Sequence, residues 1–247
     1  MTPAAMLKHA SLLLFAAGLW GAAAHAKSDV VTAEAPDVGS FQRVEVMGHA
    51  DLVLVQGDRE AVVVEAPAKS EARVRVRSNN GRLTIDVGES PTFRLWMGGA
   101  DEPRVIVYFR TLESLKTSGS IKVTAATIVS PSLAVDASGA ATIRVDALKV
   151  DALRFSGSGA VKGEFAGTAT EQTIQISGAG SYRGSKLASE TAKVTVSGAG
   201  KVSVNAKSQL DASISGAGAI EYFGDPTLRQ RVSGAGKITR RPALTSS

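Results

Sequence analysis

From Phe41 onward, apolar residues come in short bursts with a β pattern. Phe41, Val44 and Val46 precede Gly48, and Leu52, Val53 and Val55 follow it up to Gln56-Gly57. Val62-Val63-Val64 is a second burst, and Val105-Ile106-Val107-Tyr108 a third. Arg73-Val74-Arg75-Val76-Arg77 alternates strictly, as a strand with one buried face does. Asn79-Asn80-Gly81 supplies a tight-turn signal, and Leu83, Ile85 and Val87 alternate after it. That pairing predicts a β-hairpin. The second half of the chain has no helical period. A βαβ fold needs amphipathic segments of about 10 to 15 residues between strands, which are missing.

From residue 117 the alternation becomes a repeat. Ser-Gly-small begins at Ser118, Ser138, Ser156, Ser177, Ser197, Ser215 and Ser233, spaced by 20, 18, 21, 20, 18 and 18 residues. Val194 and Val196 precede one copy, and Val202 and Val204 follow it, so the unit reads strand, glycine corner, strand. A sharp corner requires positive φ, which glycine adopts freely. A second glycine lets neighbouring coils approach closely, and the serine hydroxyls are placed to stack from coil to coil. Such a period indicates stacked structural repeats rather than one globular core. Propeller blades need about 40 residues each, twice this spacing.

The predicted fold is therefore all-β: a right-handed parallel β-solenoid of short coils with glycine corners, preceded by a β-rich N-terminal segment. A coil of this length accommodates three strands and three turns. Seven coils at the parallel-strand spacing give a rod of roughly 34 Å. The expected organisation is a signal peptide over 1–26, a flexible lead-in over 27–40, the solenoid domain over 41–239 and a tail over 240–247. Within the domain, 41–116 hold the leading strands, hairpin and cap, and 117–239 the repeats.

The N-terminus changes the picture from fold to location. Lys8 and His9 precede an apolar run from Ala10 to Ala24, and Ala24-His25-Ala26 is a small-x-small cleavage site. The run is shorter than the roughly 20 residues that span a bilayer. It reads as a cleavable secretory signal, with the periplasm as the expected destination and the cell surface or medium beyond it. The 247-residue chain has no cysteine, so neither a lipid anchor nor a disulfide framework is expected.

The block Phe41-Gln42-Arg43-Val44-Glu45-Val46 to Val53-Leu54-Val55-Gln56-Gly57, followed by Val62-Val63-Val64-Glu65 and the Ser-Gly-Ser/Ala-Gly corners, resembles the bacterial GIN domain family, described as a putative auto-transporter adhesin head. The resemblance covers about Phe41 to Ile238. It implies an exported protein of stacked parallel β-coils, adhesin-like in role. Members of that family often carry Asp after the second glycine. Here that place holds Ala160, Ser181, Lys201, Ala219 and Lys237, and an acid survives only in Gly48-His49-Ala50-Asp51. No calcium-binding acidic ladder is expected. No run of alternating ten-residue barrel strands follows Lys237.

Candidate chemistry is sparse. His49 is the one histidine left after signal removal, so a His/Cys zinc site is excluded and no metal or other cofactor is expected. Gly178-Ala179-Gly180 and its sister copies lack the following helix that phosphate binding requires, and no nucleic acid partner is expected. Asp136, Asp146 and Asp151 are the acids that could pair for glycoside cleavage. Aligning the triplets after successive corners brings Lys122, Arg144, Lys162 and Arg183 into a cationic stripe. That stripe and the formal net charge of +5 suit an anionic polysaccharide, a lipopolysaccharide or a membrane surface. Phe93, Leu95, Trp96 and Met97 form either a docking patch or a plug over the end of the stack. Association of rods through their ends is a further expectation. The reading is a non-enzymatic binding scaffold of the envelope. The alternatives are a carbohydrate-active enzyme on acidic polysaccharide and a purely structural spacer.

Overall fold

The computed structural model describes residues 30–35, 37–67, 73–88 and 103–242. The signal segment and the cluster Phe93, Leu95, Trp96 and Met97 lie outside them. Fifteen strands form one sheet that curls into a parallel β-solenoid of about six turns. Seven serine-glycine corners bound six complete turns between Gly119 and Gly234, which accounts for the difference from the seven coils expected.

Each turn is nearly one continuous strand. β9 (Thr142–Gly159), β10 (Lys162–Gly178), β11 (Ser181–Gly198) and β12 (Lys201–Gly216) pair in parallel with one another along most of their length. The burial pattern of β9 shows how such a strand closes a triangle. Ile143 and Val145 point inward, then Leu148 and Val150, then Leu153, Phe155 and Gly157. Between these sets, consecutive exposed residues at Asp146-Ala147, Asp151-Ala152 and Ser158-Gly159-Ala160 break the alternation. Two outward residues in a row turn the strand by one face without ending its pairing. In β9 to β12 only the glycine corner interrupts the strand, whereas β7 (Ser114–Val129) runs on through Gly119 and breaks instead at Ser130-Pro131.

The two ends differ. β2 (Arg43–Gln56) bends at Gly48, whose φ is 104°. Its first half pairs with β5 (Arg82–Gly88), and its second with β6 (Arg104–Phe109). β4 (Arg73–Asn79) adds to β5 through the expected hairpin, with Asn80 and Gly81 at positive φ. β3 (Ala61–Pro67) adds antiparallel to β6, and β1 (Val30–Glu34) to β3. The lead-in expected to be flexible thus contributes a strand. Beyond β2 come β7 (Ser114–Val129) and β8 (Ser132–Gly139), which begin the repeats. At the other end, β13 (Ala219–Phe223) and β14 (Thr227–Ser233) pair with β12, and β15 (Lys237–Arg240) with β13. Arg240 and Arg241 are ion-paired there with Asp225 and Glu221.

The interior is narrow and aliphatic, with one aromatic cluster. Phe155, Phe165 and Tyr182 sit with ring centroids 5.3–5.6 Å apart. Gly163 and Gly184 make room for them: a Cβ at Gly184 would lie 2.5 Å from Tyr182 Cε1. The Tyr182 hydroxyl donates to Gln172 Oε1 at 3.1 Å, Gln172 Nε2 donates to Ser189 Oγ at 2.7 Å, and Ser189 Oγ donates to the Asn205 carbonyl at 2.8 Å. This chain satisfies the polar groups that three adjacent turns bury.

Candidate functional site

The strand register decides which outward side chains stack. Seven serines form one row along the glycine corner: Ser118, Ser138, Ser158, Ser177, Ser197, Ser215 and Ser233. The third copy begins at Ser158, not Ser156. Gly157 points inward, whereas Gly159 turns the corner at φ 97°. All seven serines are exposed. Ser138 Oγ donates to the Thr117 carbonyl at 3.3 Å, and the other six make no side-chain hydrogen bond to protein among the described residues.

Three residues past each corner glycine lies a second row. It runs Asp51, Lys122, Thr142, Lys162, Ser181, Lys201, Ala219, Lys237. A third row, two residues further on, runs Thr124, Arg144, Glu164, Arg183, Ser203, Glu221, Thr239. The four cations aligned from the sequence therefore divide between two rows. Lys122 and Lys162 share the first, and Arg144 and Arg183 the second. Lys162, rather than Ala160, shares the row of Ser181, Lys201, Ala219 and Lys237.

The rows differ in electrostatics. In the arginine row the signs compensate: Arg144 lies 2.7 Å from Asp146 and 3.4 Å from Glu164, and Glu164 also stands in register with Arg183. In the lysine row, Lys122, Lys162, Lys201 and Lys237 are exposed and make no ion pair among the described residues. Its one acid, Asp51, stands at the start, in register with both Arg104 and Lys122. Lys201 and Lys237 escaped the triplet alignment because alternation leaves two outward places after every corner. Counting three from the glycine at positive φ finds them.

A trough of about 560 Å³ runs across several turns on another part of the solenoid. Lys149, Asp151, Thr168, Thr170, Glu190 and Lys207 are among the residues that line it. Lys207 and Ser208 hold the Glu190 carboxyl below the usual carboxylate range through hydrogen bonds and charge. Such a carboxylate is poorly suited to general-acid work near neutral pH. Asp136, Asp146 and Asp151 do not converge. Asp136 stacks with Lys116 and Ser156, Asp146 sits at a different corner, and Asp151 lines the trough.

A family model described as "Putative auto-transporter adhesin, head GIN domain" matches residues 40–226. The chain belongs to this family. The GIN-domain chain is also similar in fold to solved structures. The putative adhesin of Bacteroides fragilis NCTC 9343 superposes with a TM-score of 0.77 at 18% identity, covering 86% of this chain and 96% of that one. The putative lipid binding protein of Parabacteroides distasonis ATCC 8503 gives 0.66 at 20% identity, covering 86% and 97%. The putative adhesin of Parabacteroides merdae ATCC 43184 gives 0.64 at 21% identity, covering 86% and 96%. None of the curated proteins compared with the chain matches it.

Proposed function

We propose that this GIN-domain protein is an exported, non-enzymatic scaffold of the cell envelope that binds an anionic surface along its lysine-and-serine edge. The carrying observation is the uncompensated lysine row beside a neighbouring row whose charges cancel. Charge placed for solubility alone is satisfied by interleaved signs, as in the arginine row. Unpaired cations on a rigid face are available to an external anion, and several weak contacts add through avidity. The adhesin-like description of the family and the N-terminal signal pattern support the location and the class of role.

The test is binding of the purified protein to immobilised anionic glycans and to vesicles containing phosphatidylglycerol, at increasing salt. The variant Lys122→Ser/Lys162→Ser/Lys201→Ser/Lys237→Ser is expected to bind at least about tenfold more weakly, a loss of ~1.4 kcal/mol. Arg144→Ser/Arg183→Ser, which removes cations from the compensated row, is expected to bind nearly as wild type. Equal binding by wild type and the lysine variant would refute the edge. Product release from a glycan by the wild-type protein would favour the enzymatic alternative.

A further inference from the structure

The register that aligns the lysines also fixes their spacing. Lysines occupy alternate turns, with Thr142, Ser181 and Ala219 on the turns between. Neighbouring parallel strands lie about 4.8 Å apart, so the lysines recur every ~9.6 Å and span ~29 Å from Lys122 to Lys237. The serines recur at every turn, at half that period. The lysines and the serines are exposed, and their rows run along the stack axis on either side of the glycine corner. The edge therefore carries two rulers, a hydroxyl for each turn and a cation for every second turn.

Resting on the cationic-edge reading above, we infer that the ligand is a linear acidic polysaccharide lying along the stack axis, with one carboxylate per disaccharide. In an extended chain of β-linked pyranoses, each sugar is turned over relative to the last. An acid on every second sugar then recurs on one side of the polymer, once per disaccharide. The advance per sugar is close to the strand spacing, and the flexible lysine stems absorb the remainder. The carboxylates meet Lys122, Lys162, Lys201 and Lys237 in turn, and sugar hydroxyls on each residue meet the serine row. A polymer with an acid on every sugar carries twice the charge that the lysines can pair, and the surplus carboxylates, turned away from the edge or set over Thr142, Ser181 and Ala219, gain no cation. A plane of lipid headgroups has no axial period for the edge to read.

The experiment compares length-matched oligosaccharides: hyaluronate, with a carboxylate on every second sugar; oligogalacturonate, with one on every sugar; and neutral cello-oligosaccharide. Phosphatidylglycerol vesicles form the fourth arm. Each is titrated into wild type and into a re-phased variant, Thr142→Lys/Lys162→Thr/Ser181→Lys/Lys201→Ser, which keeps the number of lysines and alters only their order. Wild type is expected to prefer hyaluronate over oligogalacturonate by at least about tenfold per molecule, despite the lower charge. Re-phasing is expected to abolish that preference while leaving vesicle binding unchanged. Should both proteins bind every anion alike, the period is irrelevant, although a cationic edge survives. Tighter binding of vesicles or oligogalacturonate by wild type overturns the inference and leaves the cationic edge standing. Failure of wild type to bind any anion overturns both readings. The wild-type preference alone remains decisive if the re-phased variant does not fold.

Discussion

Gly198 turns its corner at φ 109°, and a Cβ there would lie 2.7 Å from the carbonyl oxygen of Gly178 in the turn before. Two separate costs therefore oppose any side chain: a backbone region that L-residues avoid, and a clash with backbone that cannot rotate away. Gly198→Ala is expected to cost about 2–3 kcal/mol and lower the thermal midpoint by several degrees, as followed by circular dichroism. Ala199→Ser, one residue on and exposed, is expected to leave the midpoint within about a degree. The corner was legible in the sequence because glycine spacing reports a backbone need directly. The site was legible only in part. Ser156-Gly157 and Ser158-Gly159 are indistinguishable as dipeptides, and only strand register tells which one turns the chain. Likewise the triplets after the corners display Lys122 and Lys162, whereas Lys201 and Lys237 stand two residues before the matching places, Ser203 and Thr239.

Elements β10, β11 and β12 share the buried chain Tyr182–Gln172–Ser189–Asn205. Burial raises the Tyr182 hydroxyl well above the ordinary tyrosine pKa of about 10, because a phenolate there would be stranded in an apolar interior. The folded pKa exceeds the unfolded one, so the stabilisation is complete below pH 10. Above it, stability falls by about 1.4 kcal/mol per pH unit, as the unfolded chain ionises and the folded one does not. Urea unfolding at pH 8 to 11.5 is expected to show this decline, with tyrosinate absorbance from Tyr182 arising only on unfolding. Tyr182→Phe is expected to remove that contribution to the alkaline slope. At neutral pH it costs about 1–3 kcal/mol, because Gln172 Oε1 loses its buried donor. Alternation announced the strands but not this network. Gln172 and Ser189 look like surface residues in sequence, and they are inward because the face changes fall at Glu171 and Glu190. The continuity of β9 to β12 around two of their three corners is hidden for the same reason. Nothing in composition distinguishes a bend within a strand from the end of one.

On the scale of the whole molecule, each turn pairs only with the turns on either side, so the repeats are separable units. Excision of residues 199–216 joins Gly198 to Ala217 and restores the same Ser-Gly-Ala-Gly corner. The shortened protein is expected to keep its β-type circular dichroism spectrum and a cooperative melt. If the proposed cationic edge binds hyaluronate, its affinity for that polymer is expected to fall, since Lys201 leaves with the turn. The stacking order was readable from the repeat. The two extensions that splay from β2 were not, because the sequence separates β2 from its partners β5 and β6 by unequal insertions. The parallel ladders also set how the rod bears load. Their hydrogen bonds point along the stack axis, so tension applied between the two ends loads the turns in series, and the terminal turn, held on one side only, peels first. A polymer bridging Lys122 to Lys237 would lie across every one of those junctions, and its occupancy would splint the rod against the pull that an adhesive role would place on it.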